Sequence, residues 1–471
     1  MDAGTLPVLA GLRRDGICED VETLPGFGDG ATWPSVVTGL NPARHGRYFR
    51  RQFKPRSYRR VLFSTDVDLI AEPFWTTLSR AGRRVAILDV PYARLDQDIN
   101  GLLLVDWLIH DRYGEPRSWP RGFAADVIER LGDDPLGGNS DLVPKDTAGL
   151  KHLCASLQRR VRMKEALVNE TFAARSFDLV ASVFTEPHDL GHTAWHLHDP
   201  GHPQYDAEWS TRHGDPFLSL YAEIDRAIGG ILANAASNAT VVVFAGLGMG
   251  PNYTANGVMD EILARLDNRG VLAPNHISKG LKRAGCPDAV ARLGQKVDTA
   301  WEICTLSRSR FFTMPHNENS GAIRINLRGR EPTGRVPARE YDAVCDELTR
   351  TFLEITNCAT GKPIVEKVVR VQHEFRGERA DSMPDLFVVW NREASFTAIE
   401  SPRIGRLDGI ASWGRTGDHT PHAMLFVRRA GTRRGSLQRK PTIVDVAPTI
   451  AALLGVTLSG IDGRPIDGMS V

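Results

Sequence analysis

Short apolar, β-branched runs alternate along the chain with longer stretches whose apolar residues recur every three to four positions. "RRVAILDVP" (83–91), "FDLVASVF" (177–184), "ATVVVFAG" (239–246) and "PDLFVVW" (384–390) are near-continuously apolar, the pattern of strands covered on both faces. Helical periodicity governs the segment from Asp146 through "LKHLCASLQRRVRMKEALVNETFAA", and also "FLSLYAEIDRAIGGILANA" (217–235) and "IVDVAPTIAALLGV" (443–456). This alternation predicts an α/β fold, a sheet with helices on both faces. Residues 270–380 are more mixed. "SGAIRINLRGREPTGRV", a helix near 338–357 and "PIVEKVVRV" predict a smaller α+β insertion, with residues 1–269 and 381–471 forming the main core.

At 471 residues and 42% hydrophobic, the chain buries a large core. Its net charge of +1, from 58 basic and 57 acidic residues, gives no global reason to expect a nucleic acid polymer or an anionic membrane as partner. Basic residues do cluster over Arg44–Arg60, a stretch that either holds phosphate or sulfate groups or is a solvated loop. The scattered cysteines form no CxxC pair and are expected to be free thiols in a reducing compartment. No apolar run approaches the roughly 18 residues of a membrane span, and no charged-then-apolar leader opens the chain. The expected location is cytoplasmic.

Candidate chemistry concentrates in "FTEPHDLGHTAWHLHDP" (184–200), which carries four of the chain's 14 histidines. His188, His192 and His196 are spaced by four, so a helix places them on one face, where two imidazoles can share a cation. Imidazole with carboxylate suits zinc, and also manganese or iron. His188 and His192 are the expected ligands; His196, His198 and His202 are expected to be solvated. This stretch follows the strand 177–184, and "GLGMGPN" follows the strand 239–245. Both sit where an α/β sheet gathers functional groups, at the carboxyl ends of strands.

"TWPSVVTGLNPARHG" (32–46) resembles the nucleophile segment of the alkaline phosphatase superfamily, in its type I phosphodiesterase and nucleotide pyrophosphatase branch. "DAGTLPVL" (2–9), "EPHDLGH" (186–192), "GDHTPHAMLF" (417–426) and "IVDVAPTIAALLGV...DGRPI" (443–466) follow in that family's order. The resemblance implies an alkaline-phosphatase-like mixed, mostly parallel sheet, two neighbouring metal ions and a Thr or Ser alkoxide that attacks phosphorus or sulfur. Carried over by position, Asp2 is a ligand at the end of the first strand. His188 stands where many members have Asp, His192 matches their His, and His419 matches the late histidine. Glu186 is then a carboxylate that orients a histidine ring, and Arg44 an anion contact. A ligand at position 2 needs a strand before it, so the natural chain is expected to begin several residues upstream of Met1.

Two positions depart from the family. Its counterpart of the strand 239–245 ends in a Ser-Asp-His-Gly-Met-like sequence whose Asp and His bind the second metal. Here the residues are Ala245, Gly246, Leu247, Gly248 and Met249, so both ligands are gone. The family's nucleophile lies nine residues before the threonine of the Thr-Gly pair, and counting back from Thr38 reaches Asp29. Thr32 is the nearest hydroxyl, at a shorter spacing. Either Thr32 replaces the nucleophile through a shifted turn, or Asp29 takes the position as ligand or carboxylate nucleophile, or both simply cap a helix starting near Pro34.

The expected function is metal-dependent hydrolysis of a phosphodiester, phosphate or sulfate ester on a small molecule, with one or two ions. The alternatives are an impaired member kept as a binding protein, and a one-metal enzyme performing transfer or elimination in a biosynthetic pathway. Asp225 and Asp385 are expected to serve packing, capping or loop ends.

Overall fold

The computed structural model describes residues 4–69, 71–110, 112, 114–138, 140, 143, 145–268, 288–316, 319–410, 414–429 and 439–467. Helix α1 (Pro7–Asp15) opens with proline at its start, and its Val8 and Leu9 N–H groups donate to the Asp225 carboxylate at 3.0 and 2.7 Å. Asp225 thus caps a helix remote in sequence, satisfying donors that have no partner inside α1. Strand β1 (Ile17–Glu22) follows, then α2 (Asp29–Thr38), which ends on Gly39 in the left-handed conformation. Helix α2 begins at Asp29, five positions before Pro34, and carries that proline inside it. Pro34 has no N–H for the Gly30 carbonyl one turn back, and the Arg47 side chain supplies the missing donor at 3.0 Å.

Four strands build the sheet that positions the site: β2 (Val85–Leu88), β3 (Gly101–Val105), β4 (Arg117–Trp119) and β5 (Leu179–Ser182). Their order is β4-β3-β2-β5, with β2 parallel to both β3 and β5. Helix α3 (Thr147–Ala174) is capped by Asp146, whose carboxylate accepts from the Gly149 N–H at 2.7 Å. Then come α4 (Glu186–Ala194), α5 (Pro216–Asn234), β6 (Val241–Ala245), β7 (Gly248–Pro251) and α6 (Met259–Leu266).

The remaining elements used below are β8 (Phe311–Thr313), β9 (Ser320–Ile325), α7 (Tyr341–Leu353), β10 (Val365–Arg370), β11 (Leu386–Trp390), β12 (Gly417–Thr420), β13 (His422–Arg428) and α8 (Val446–Leu453). β1, β13 and β6 form an antiparallel sheet, as do β8, β9, β11 and β10. The pairing is therefore mixed, with parallel pairing confined to β2 and its two neighbours among the described ladders. Strand β11, which the sequence assigned to the main core, pairs between β9 and β10 of the expected insertion. One apolar core joins residues from Ala255 to Ile410 around this sheet. Asp385 accepts from the Ile325 N–H at 2.6 Å, from Arg330 and from the Tyr341 hydroxyl, tying β9 to the start of α7.

Helix α3 holds α4 in place. Leu153, Leu157 and Val161 on one face of α3 meet Leu190 and Ala194 of α4 and Leu220 and Ile224 of α5. Each fully buried leucine contributes roughly 1.5–3 kcal/mol of apolar burial. On the same face Arg160, wholly buried, reaches Asp134 at 2.6 Å and Asp189 of α4 at 2.6 Å. A buried charge is tolerated only when paired and hydrogen-bonded, and Arg160 has two carboxylates.

Arg160→Leu leaves Asp134 and Asp189 buried without their cation and is expected to lower stability by about 3–5 kcal/mol, read from urea denaturation midpoints. A second outcome concerns pH. His45 accepts the Arg47 backbone N–H on Nδ1 and donates Nε2–H to Ser35 Oγ, so it is buried neutral. Burial, and then the charge of Arg47, push its pKa down from 6.5 to about 3. The unfolded chain therefore binds a proton that the folded one refuses, and stability falls as pH drops from 6.5 toward 3. Thermal melting of His45→Asn across this range is expected to show a shallower slope than the parent.

Candidate metal centre

The carboxyl ends of β2, β3 and β5 deliver Tyr92, His110 and the helix α4 to one place, as parallel strands do. Within α4, His188 and His192 lie one turn apart and share a face. Gly191 between them allows a close approach: a Cβ there would meet Met249 Cε at 2.4 Å. Met249 belongs to β7, which pairs with β12 so that Met249 stands opposite His419. Glycine at 417 lets β12 touch α4, since a Cβ would fall 2.3 Å from the Gly191 carbonyl oxygen. His419 therefore reaches the α4 histidines through backbone packing.

The ring nitrogens of His188, His192 and His419 include a set lying within 4.8 Å of one another. His192 Nδ1–H donates to the Gly417 carbonyl at 3.0 Å, which leaves Nε2 with a lone pair for a cation. Both ring nitrogens of His419 are buried without a hydrogen-bond partner, as is Asp418 Oδ2. Burial, and next the neighbouring histidines, hold His188 and His192 well below the ordinary imidazole value; burial also lowers His419. All three are neutral at physiological pH, the form that ligates. Orphaned buried nitrogens and neutral donors fit a zinc-like cation.

Asp29 lies at the N-terminal end of α2, 9% exposed, and accepts a hydrogen bond from the Tyr92 hydroxyl at 2.8 Å. Burial works to raise its carboxyl; the positive charge that His188 and His419 carry only when protonated, together with the Tyr92 hydroxyl, outweighs it and leaves it well below the usual carboxylate range. Its side chain does not cap α2. His110 stacks on the cluster with its ring 4.3 Å from that of His188. Its Nδ1 bonds Asp189, which also accepts from Ser140 Oγ at 2.7 Å and from Arg160.

Other expected site residues lie elsewhere. Thr32 donates its hydroxyl to the Gly28 carbonyl at 2.9 Å, a bond within its own helix, and turns its methyl toward Gly246. Glu186 does not orient a histidine. Its carboxylate meets Lys164 Nζ at 2.9 Å, and the ring of His192 is oriented by Gly417 instead. Arg44 is spent on Asp462 at 2.7 Å and on the Gly460 carbonyl, on the half-exposed surface. Asp2 lies outside the described residues. His202 is buried against Tyr253 where solvent was expected, while His198 pairs with Asp215 at 2.7 Å. Nothing at Gly246 or Leu247 can replace the missing ligands through a side chain. His110, Asp189, Tyr92 and Asp418 join the neighbourhood without having been singled out as site residues.

Known proteins were compared with the whole chain. No curated protein matches it in sequence. Alkaline phosphatase PafA, at 12% identity, superposes with a TM-score of 0.54 over 98% of this chain and 93% of its own. Human ectonucleotide pyrophosphatase/phosphodiesterase 5, at 13% identity, gives 0.51 over 98% and 92%. An inactive murine form of that protein in complex with AMP, also at 13%, gives 0.52 over the same shares. These likenesses establish a shared fold. The family model for type I phosphodiesterase / nucleotide pyrophosphatase matches residues 1–420, and the chain belongs to that family.

Proposed function

We propose that the protein is a phosphoester hydrolase working with one divalent cation, zinc by preference, held by His188, His192 and His419, and that its substrate is a small-molecule phosphodiester. The observation that carries this is the set of three neutral imidazoles, His192 and His419 buried and His188 partly so, whose nitrogens lie within 4.8 Å of one another, beside the ionised Asp29. A bound cation supplies Lewis acidity toward an ester oxygen and toward water. Every other task falls to the chain. Asp29, held anionic, accepts a hydrogen bond from the attacking water and fixes its direction; its depressed carboxyl makes it an orienting group and a weak base. The hydrolysis forms a bond from water oxygen to phosphorus, breaks the ester bond, and passes the water's proton to the leaving alkoxide.

Charge favours an anionic ester. Three neutral imidazoles, Asp29 and a divalent cation sum to a single positive charge; Asp418 beside His419 removes one, and Arg392 and Arg415 add two. The resulting positive field draws in an anionic phosphoester. The family match and the AMP-bound murine relative support phosphorus. A second reading, a binding protein without turnover, draws on the absent ligands at Gly246 and Leu247 and on the Thr32 hydroxyl held by Gly28.

Elemental analysis is expected to find about one tightly held ion per chain, as a site with three protein ligands implies, and His192→Ala is expected to lose it. Asp29→Asn is expected to lower turnover of an aryl phosphodiester by on the order of 10²–10⁴-fold. Thr32→Val, which removes only the hydroxyl bonded to Gly28, is expected to leave turnover within about threefold, in line with a small loss of hydrogen bonding. If Thr32→Val abolishes turnover and Asp29→Asn does not, the roles assigned to these residues are wrong. Bound metal with no turnover on diesters, monoesters or sulfates supports the binding protein.

A further inference from the structure

Tyr92 has a backbone φ of 55°, a conformation that glycine adopts freely and a bulky residue rarely does. Such an outlier persists only where its surroundings impose it, and the surroundings here point to a task. The Tyr92 hydroxyl donates to Asp29 Oδ2 at 2.8 Å. Over its ring, 4.3 Å from the centroid, sits the Arg47 guanidinium. Arg47 is 1% exposed, and its hydrogen bonds go to neutral oxygens: the Gly30 carbonyl at 3.0 Å and Thr65 Oγ1 at 2.7 Å. Its Nη2 is buried with no hydrogen-bond partner, and among the described residues no carboxylate pairs with it.

A buried guanidinium without a counter-ion is costly, so its charge must act on something nearby. It meets two ring faces, Phe63 at 5.3 Å and, closer, Tyr92, and the far end of that phenol holds the anion Asp29. We propose that Arg47 and Tyr92 are a positioning pair for Asp29: the cation draws electron density from the ring, the hydroxyl becomes a stronger donor, and the carboxylate is held in one orientation toward His188 and His419. The attraction of a cation to a ring face and the strengthening of a hydrogen bond in a polarised chain are both favoured by a dry site. Arg47 also bonds the Gly30 carbonyl next to Asp29, so one side chain sets the helix start and the rotamer of its first acid. This inference rests on the single-cation site proposed above.

The test uses the full-length protein stripped of metal and reloaded with Zn²⁺ or Co²⁺. Readouts are zinc affinity, the visible absorption of the Co²⁺ form, and the melting temperature of the metal-free protein. Tyr92→Phe keeps the ring under Arg47 and removes only the hydroxyl. It is expected to weaken zinc by about 3–10-fold, because a carboxylate no longer held beside the cation attracts it less, and to change the Co²⁺ spectrum. Arg47→Met is expected to shift the same spectrum in the parent and to add less than that shift in the Tyr92→Phe background, where only its bond to the Gly30 carbonyl is left to lose. Parent-like affinity and spectrum in both Tyr92→Phe and Arg47→Met overturn the pair. Additive effects of the two substitutions overturn the coupling through the ring. His192→Ala run alongside separates the two levels: if it binds zinc like the parent, the metal site itself is misplaced, whatever the Tyr92 variants do.

Discussion

Everything at the centre of this molecule follows from burying imidazoles against one another. The rings of His110, His188, His192 and His419 form a contiguous stack in which neighbouring centroids lie 4.3 to 4.9 Å apart. Were these rings protonated, their mutual repulsion in a dry interior would be severe. The fold therefore accepts only two states of this cluster, neutral or joined by a cation. The supporting groups are arranged accordingly. His192 gives its one proton to a carbonyl, His110 is bonded to a carboxylate, and Arg160 holds that carboxylate on its outer side. Carboxylates face the rings directly, and the cation Arg160 is kept one layer away.

The layout explains why so few elements matter. Three parallel strand ends, the start of α2 and a two-stranded ribbon supply every group at the centre. Apolar runs marked β2, β5, β6 and β11 plainly, and periodicity marked α3, α5 and α8, because these segments are long or continuously covered. The pair His188 and His192 was legible because four residues make one helical turn. His419 was legible only through resemblance to a family, since nothing in "GDH" itself says which face of a ribbon it occupies.

What escaped was non-local. "GLLLVDWLIH" was not assigned as a strand, so His110 had no sheet edge to stand on. Tyr92 lies 63 positions from Asp29 and meets it only because β2 ends beside α2. Glu186 was misread for the opposite reason: proximity in sequence to His188 suggested partnership, but successive helical residues face different ways, and Glu186 points to Lys164. Arg44 and Thr32 likewise sit in a segment rich in chemistry and spend their polar groups on structure. The pairing of β11 between β9 and β10 was not legible because the strand is apolar enough to suit either core, and pairing is something sequence does not display.

The contact between Thr32 and Gly246 couples two elements. A Cβ at Gly246 would lie 3.0 Å from the Thr32 methyl, so any side chain placed there must push that methyl back by a few tenths of an ångström. Thr32 is buried and its hydroxyl is tied to the Gly28 carbonyl, so the shift passes to the start of α2, where Asp29 stands. What can occupy the end of β6 is therefore set in part by the first turn of α2.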